Sequence, residues 1–443
     1  MTQPRPAHSS RARRSLGAAL ALVIAAVAGV GVALAVTPNG PDAAASQTPT
    51  SPIASGTPGA TTAPDSGALP IQPPPIKPVP AVTFTLAAGG DVLPHQPVLD
   101  SARSGSGYDF AKQFKPTKAI ISGADIAICH METPVAPKGT KPSGYPIFGA
   151  PASLVKDLGK AGWDGCSTAS NHSVDRGFPG IEATGDAFQA AGLGHAGTAR
   201  SKDESTQVQY YFVSEGGRTI SVAHISYAYG LNGLPVPAGK PWSVNVFDAS
   251  AADVTPILDA AKEARSEGAD VVIASVHCCV EYVTQPTPTQ KSIASQIAES
   301  GLVDLYIGHH AHVPQPIVKL DGGPDGEGMW VAYGLGNFIS NQDASTVGHA
   351  ESVNGVLLRA TFTVSPDDDV SVEAGWTAVT VDRLHGHVVY PISKNSGAVG
   401  KLTAAQVKSR WNLVHDAVGD AAPEVTEAGT PLADYMWLNT RTP

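Results

Sequence analysis

The chain has 443 residues, of which 42% are hydrophobic and 15% charged, with a formal net charge of −10. That gives room for one large domain or two ordinary ones plus tails, and enough apolar material to exclude global disorder. The first 41 residues hold Arg5, Arg11, Arg13 and Arg14 and no acid, leaving 25 basic against 39 acidic residues; so acidic a surface repels nucleic acid, and no nucleic-acid partner is expected. An anionic substrate would need a local positive centre, and a bound metal is one way to supply it.

After a basic tail over residues 1–15, Leu16–Val36 is apolar apart from small glycines. Its length matches the roughly 20 residues of a membrane-spanning helix. Arginines stand before it and none directly after, which holds the N-terminus in the cytoplasm and sends the remainder outward. A single-pass protein of the cell membrane with an extracytoplasmic main domain is therefore expected. A cleaved signal peptide is the alternative, with Ala33-Leu34-Ala35 as its small-residue site, although its apolar core would be shorter, about 7–15 residues. Residues 37–80 are rich in Pro, Ser, Thr and Ala and include Pro73-Pro74-Pro75; they read as an extended stalk without a core.

From residue 81 short apolar runs alternate with helical patterns, the mark of βαβ units and an α/β fold. Strands are predicted at Thr83–Ala88, Ile126–Met131, Gly165–Ala169, Ile220–Ser226, Val271–Val276, Leu302–Ile307 and Met329–Tyr333. Helices are predicted at Ala152–Ala161, Ile181–Ala191, Pro256–Ser266 and Lys291–Ser300. Thr255 is expected to cap the third, Gly268 to end it, and Gly301 to stop the fourth. A domain over residues 81–383 is followed by an extension, 384–443, in which strand signals fade and one helix is predicted near Thr403–Ala417. Trp411 and Trp437 read as packing residues.

Several predicted strands end in metal-binding residue types: Asp91, Glu132, Asn171 with His172, His277, and the cluster His309, His310 and His312. In open α/β sheets, sites form at the carboxyl ends of strands. Carboxylates, an amide oxygen and imidazoles suit a divalent cation such as zinc, manganese or iron, singly or as a pair. Each residue also has an ordinary reading, as a turn cap, a solvated acid or a structural histidine; their recurrence at strand ends favours the site. Cys129 and Cys166 could be bonded or plain core, and Cys278 with Cys279 could form an adjacent disulfide or touch the site; four cysteines leave three pairings open.

The segments Gly90-Asp91-Val92, Met131-Glu132-Thr133-Pro134, Asn171 to Gly177, His277 with Glu281-Tyr282, Gly308 to Val313 and Tyr333 to Phe338 occur in this order. In this the chain resembles the poly-γ-glutamate capsule-synthesis (CapA-like) family, itself similar to calcineurin-like metallophosphoesterases. The resemblance implies a metallophosphatase-like pair of packed β-sheets flanked by helices. It implies that Asp91 and His312 serve one metal, and that Asn171, His277 and His310 serve another, with Glu132 bridging and His309 the alternative to His310. His172 would be the proton donor and Asp175 its orienting carboxylate. The implied function is metal-dependent hydrolysis of a phosphoester or a cell-surface anionic polymer. The alternative is a non-catalytic part in synthesis, export or assembly of such a polymer, with partners in the membrane. The chain departs from the phosphoesterase pattern at Leu93, where an imidazole is usual, the nearest being His95; at Glu132, which replaces an aspartate; and at Cys278-Cys279.

Overall fold

A computed structural model describes residues 79–436 and 440–443. The expected anchor, nearly all of the stalk and Trp437 lie outside them. Among the described residues no helix is long and apolar enough to cross a membrane.

Fifteen strands build two sheets: β1 (Val82–Val92), β2 (Ile126–Met131), β3 (Gly165–Ser167), β4 (Gly194–Ala196), β5 (Gln209–Glu215), β6 (Arg218–Ala228), β7 (Val271–His277), β8 (Leu305–His309), β9 (Ile317–Leu320), β10 (Met329–Ala332), β11 (Asn337–Ile339), β12 (Asn354–Val364), β13 (Val370–Asp382), β14 (Val388–Ile392) and β15 (Asp434–Met436). The first sheet runs β14-β13-β12-β1-β2-β3-β4, with β11 also pairing with β1; the second runs β9-β10-β8-β7-β6-β5-β15. The major helices are α1 (Ala152–Ala161), α2 (Gly177–Ala191), α3 (Thr255–Ser266), α4 (Pro288–Glu299) and α5 (Ala404–Val418).

Strand periodicity explains the layering. Phe84 and Leu86 of β1, Ile126 and Ile128 of β2, Ile273 of β7 and Ile307 of β8 share one core between the sheets. Alternate residues Ala87, Ala127 and Cys129 face outward and meet Leu154 and Leu158 of α1. On the far side Val272, Ala274 and Val276 meet Ile257 of α3 and Ile293 of α4. The two-sheet architecture with flanking helices is therefore present. Parallel neighbours β1–β2, β2–β3, β6–β7 and β7–β8 aim their carboxyl ends the same way within each sheet.

Three expectations are corrected. Thr255 does not cap α3; it lies within the helix, after Val254, and its backbone N–H donates to Asp253 Oδ1 at 3.0 Å. The strand expected from Leu302 begins at Leu305, because Asp304 is tied by the Val272 N–H at 2.6 Å and by Arg265 at 2.7 Å. The segment after Arg383 does not lack strands: β14 pairs with β13, and β15 pairs with β5. The helix α5 has a Thr403–Gln406 capping box and buries Val407, Trp411 and Val414 against the inter-sheet core. Gly268 and Gly301 stand at the ends of α3 and α4 with left-handed backbones, as expected.

The cysteines pair as Cys129–Cys166 and Cys278–Cys279, and no cysteine is free. Cys129 and Cys166 are register partners on β2 and β3, with Cα atoms 4.3 Å apart.

Candidate metal centre

Asp91, near the end of β1, is brought beside His130 of β2 and Asn337 of β11 by strand pairing. This approach requires Gly90, since a Cβ there would strike the Gly336 carbonyl oxygen. Glu132 follows β2 directly. The turn from β3 into α2 presents Asn171, His172 and Asp175. His277 closes β7, and His309 closes β8 in register with it. His310 and His312 then adopt positive φ values of 84° and 57°. For non-glycine residues this left-handed backbone is uncommon and concentrates at functional sites. Here it turns both imidazoles into the same space.

Two of the resulting donor groups are Asp91–Glu132–His312 and Glu132–His277–His310, each with one ligand atom per residue and all atoms within 4.8 Å of one another. Glu132 belongs to both. His312 Nδ1 lies 3.0 Å from Asp91 Oδ2 and 3.2 Å from Asn337 Oδ1, leaving Nε2 toward Glu132 Oε1 at 3.7 Å. His277 Nε2 lies 3.0 Å from Asn171 Oδ1. His310, not His309, joins the second group; His309 stacks on His130 with ring centroids 4.1 Å apart. His172 Nδ1 lies 2.8 Å from Asp175 Oδ2, which also accepts the Phe148 N–H at 2.7 Å.

His130 is a member that sequence reasoning passed over. Its Nδ1 lies 2.7 Å from Ser167 Oγ and its Nε2 2.9 Å from His277 Nδ1, and it forms a further donor group with Asp91 and His277. Asn232, whose side chain donates toward the His172 ring and accepts from Asn171, was also missed. Glu281 extends the centre at its mouth, with His310 and His312.

Both oxygens of Glu132, both ring nitrogens of His309 and Nδ1 of His310 are buried without a hydrogen-bond partner. Asp91 likewise lacks a well-aligned donor, although Oδ2 is close to His312. Orphaned buried polar groups cost about 1–3 kcal/mol each, more for charged groups. Three oxygen- and nitrogen-bearing residue types converging in this condition fit a divalent cation.

Burial and neighbouring charge move the groups of the centre in different directions. Burial pushes the Glu132 carboxyl well above its ordinary range. Burial acts the same way on Asp91, but His309 and His312 beside it hold its carboxyl below the ordinary range. Burial opposes charge on His312, yet the Glu132 and Asp91 carboxylates raise it to about 10. Burial lowers His310 to about 3 and, with neighbouring imidazoles, keeps His277 and His130 well below the usual value. His310, His277 and His130 thus keep the neutral imidazole form that binds metal, while the two carboxylates beside His312 hold it charged.

The centre opens into a cavity of about 670 Å³ lined by Asn171, His172, Asp175, Asn232, Glu281 and His312 among others. Leu93 and His95 also line it. His95 is held by the Leu93 carbonyl at 3.0 Å and stands edge-on to Phe148, outside every donor group.

A profile of the bacterial capsule synthesis protein family PGA_cap matches residues 85–342. The chain is 25% identical over 265 residues to the capsule biosynthesis protein CapA of Bacillus anthracis, covering 58% of this chain and 60% of that protein. It is 26% identical over 264 residues to the PGA biosynthesis protein CapA of Bacillus subtilis, covering 58% and 64%. A probable polyglutamine synthesis accessory protein of Mycobacterium tuberculosis is 24% identical over 251 residues, covering 55% and 62%. The chain thus spans less than two thirds of the length of these relatives. Among solved structures, a phosphatase from Mycoplasma pneumoniae superposes with TM-score 0.38 at 14% identity, covering 67% of this chain and 94% of that one. The calcineurin-like phosphoesterase YfkN from Bacillus subtilis superposes with TM-score 0.41 at 12% identity, covering 76% and 99%.

Proposed function

The chain belongs to the bacterial capsule synthesis protein family, and from that premise we propose that it is a metal-dependent hydrolase of phosphoester type, working at the outer face of the cell membrane. The observation that carries this reading is Glu132, buried, unpartnered and shared by two donor groups. Asp91 and His312 would hold one metal, and Asn171, His277 and His310 the other, with Glu132 between them. Zinc, manganese and iron all suit this set. A metal pair there would supply a nucleophilic hydroxide at neutral pH and neutralise charge on a displaced phosphoryl group.

The chain's own groups complete the chemistry. His172 is fixed by Asp175, whose carboxylate accepts the Nδ1 proton, leaving Nε2 to exchange a proton with a leaving oxygen. With His277 Nε2 turned to the centre, its Nδ1–H donates to His130 Nε2, and His130 Nδ1–H in turn donates to Ser167 Oγ. Such an outer layer fixes ring orientation and tautomer. His310→Ala or Asn171→Ala should abolish metal-dependent turnover of a phosphodiester; unchanged turnover would refute the reading.

Leu93, where phosphoesterases usually carry an imidazole, favours a second reading: a non-catalytic factor in synthesis, export or assembly of an anionic capsule polymer such as poly-γ-glutamate, with membrane partners. The names of the relatives support it equally. Loss of surface polymer on deletion, restored by the His310→Ala protein, would select this role. The membrane location draws support from the apolar run Leu16–Val36 and from the two disulfides, which suit an oxidising compartment.

A further inference from the structure

Among the described residues, nine large apolar side chains are exposed, and they are not scattered evenly. Tyr145 (76% exposed), Ile147 (45%) and Leu234 (37%) line the mouth of the metal-centre cavity. Val280 and Val283 are exposed on either side of Glu281 and Tyr282, which line it too. Three of the nine therefore line one opening, with Val280 and Val283 next in sequence to two of its other lining residues. Single exposed apolar residues are ordinary, whereas several lining the mouth of one polar pocket mark a binding surface.

Charge narrows the occupant. No Lys or Arg lines this cavity; its charged members are Asp175, Glu281 and the histidines. Arg383, behind Asn341, is already ion-paired with Asp343. A γ-glutamyl polymer carries a free carboxylate on every residue. Threaded through this cavity, it would meet Glu281 and an acidic chain with no cation beyond the centre itself. One anionic group at the centre is accommodated; a row of them is not.

We infer that the cavity takes an amphipathic phosphoester, with a single charged phosphoryl group at the centre and an alkyl or prenyl chain lying across Tyr145, Ile147 and Leu234. This deepens the hydrolase reading and rests on it for the identity of the reacting group. Uncharged apolar flank and charged head match the two zones of the site.

The test separates binding from turnover. Full-length, metal-loaded protein in lipid nanodiscs would be titrated calorimetrically with methylphosphonate, hexylphosphonate and tri-γ-glutamate. Hexylphosphonate should bind at least about tenfold more tightly than methylphosphonate, from partial burial of five added methylenes. In a Tyr145→Ser, Ile147→Ser, Leu234→Ser variant that ratio should fall to near one. Equal affinity for the two phosphonates, or tighter binding of tri-γ-glutamate than of hexylphosphonate, overturns the inference. Turnover of methyl and hexyl 4-nitrophenyl phosphate, followed in parallel, reports on the hydrolase reading alone. Its absence, with the chain-length preference intact, would refute catalysis and leave the amphipathic ligand standing.

Discussion

Exchanging Glu132 for Gln should move the metal-free and metal-loaded proteins in opposite directions. Glu132 is fully buried, neither of its oxygens has a hydrogen-bond partner, and burial raises its carboxyl well above the ordinary value of 4.5. A carboxyl raised on folding contributes stability that is complete below its unfolded pKa and is lost as pH climbs toward the folded one. Metal-free wild type should thus lose up to about 1.4 kcal/mol per pH unit from this group above pH 4.5, a slope that Glu132→Gln lacks. With metal the order reverses. On the dinuclear reading the ionised carboxylate would then compensate two cations, and a neutral amide should weaken metal binding by at least about 100-fold, beyond what loss of a mere supporting contact costs. Thermal unfolding at pH 5, 6 and 7, after chelation and again with added zinc or manganese, reads both effects. Equal midpoint shifts in the two states would show that Glu132 is a buried structural acid and not a shared ligand.

His172→Asn should lower kcat by about 10²–10⁴-fold with metal content unchanged, by elemental analysis, because its ring touches Asp175 and not the donor groups. Gly90→Ala should cost about 1–3 kcal/mol in unfolding and reduce bound metal, since the new methyl group meets the Gly336 carbonyl and displaces Asp91. His224, buried and lowered to about 3 by desolvation, adds stability above its ordinary value of 6.5 that is lost as pH falls through 6.5 toward 3. His224→Gln should remove up to about 1.4 kcal/mol per pH unit from the acid limb of the stability profile. Replacing Cys129 and Cys166 together by Ala should cost about 3–4 kcal/mol, the chain-entropy value for a loop closed over 37 residues, measured by denaturation with and without reductant.

Much of the candidate centre was legible because its donor residues follow apolar runs whose identity as strands was plain. Asp91, Glu132, Asn171, His277, His310 and His312 lie just beyond such runs, and sheet pairing gathers them. The choice between His309 and His310 was not legible, since it depends on where β8 ends. The strand runs through His309, and the left-handed backbone at His310 turns the next ring inward. His130 escaped notice inside the run Ile126–Met131. Its signal was the two-residue period, for His130 shares a face with Ile126 and Ile128, whose neighbours form the inter-sheet core. The long hairpin β12–β13 carried the same period in Val356, Leu358, Ala360, Phe362 and Val364, all buried in that core. The edge strands β14 and β15 are short, three to five residues, and their pairing comes from the partner strand more than from their own pattern. Asn232 lies on the loop that follows β6, past its end at Ala228, with no other metal-binding residue type beside it in sequence to announce it.

The most direct test of a shared dinuclear centre is metal content joined to turnover. Purified full-length protein should carry close to two equivalents of zinc, manganese or iron and hydrolyse a chromogenic phosphodiester, and a His310→Ala, His312→Ala variant should lose both. Protein that retains no metal under any supplied cation, or a variant that turns over as fast as wild type, would contradict the account.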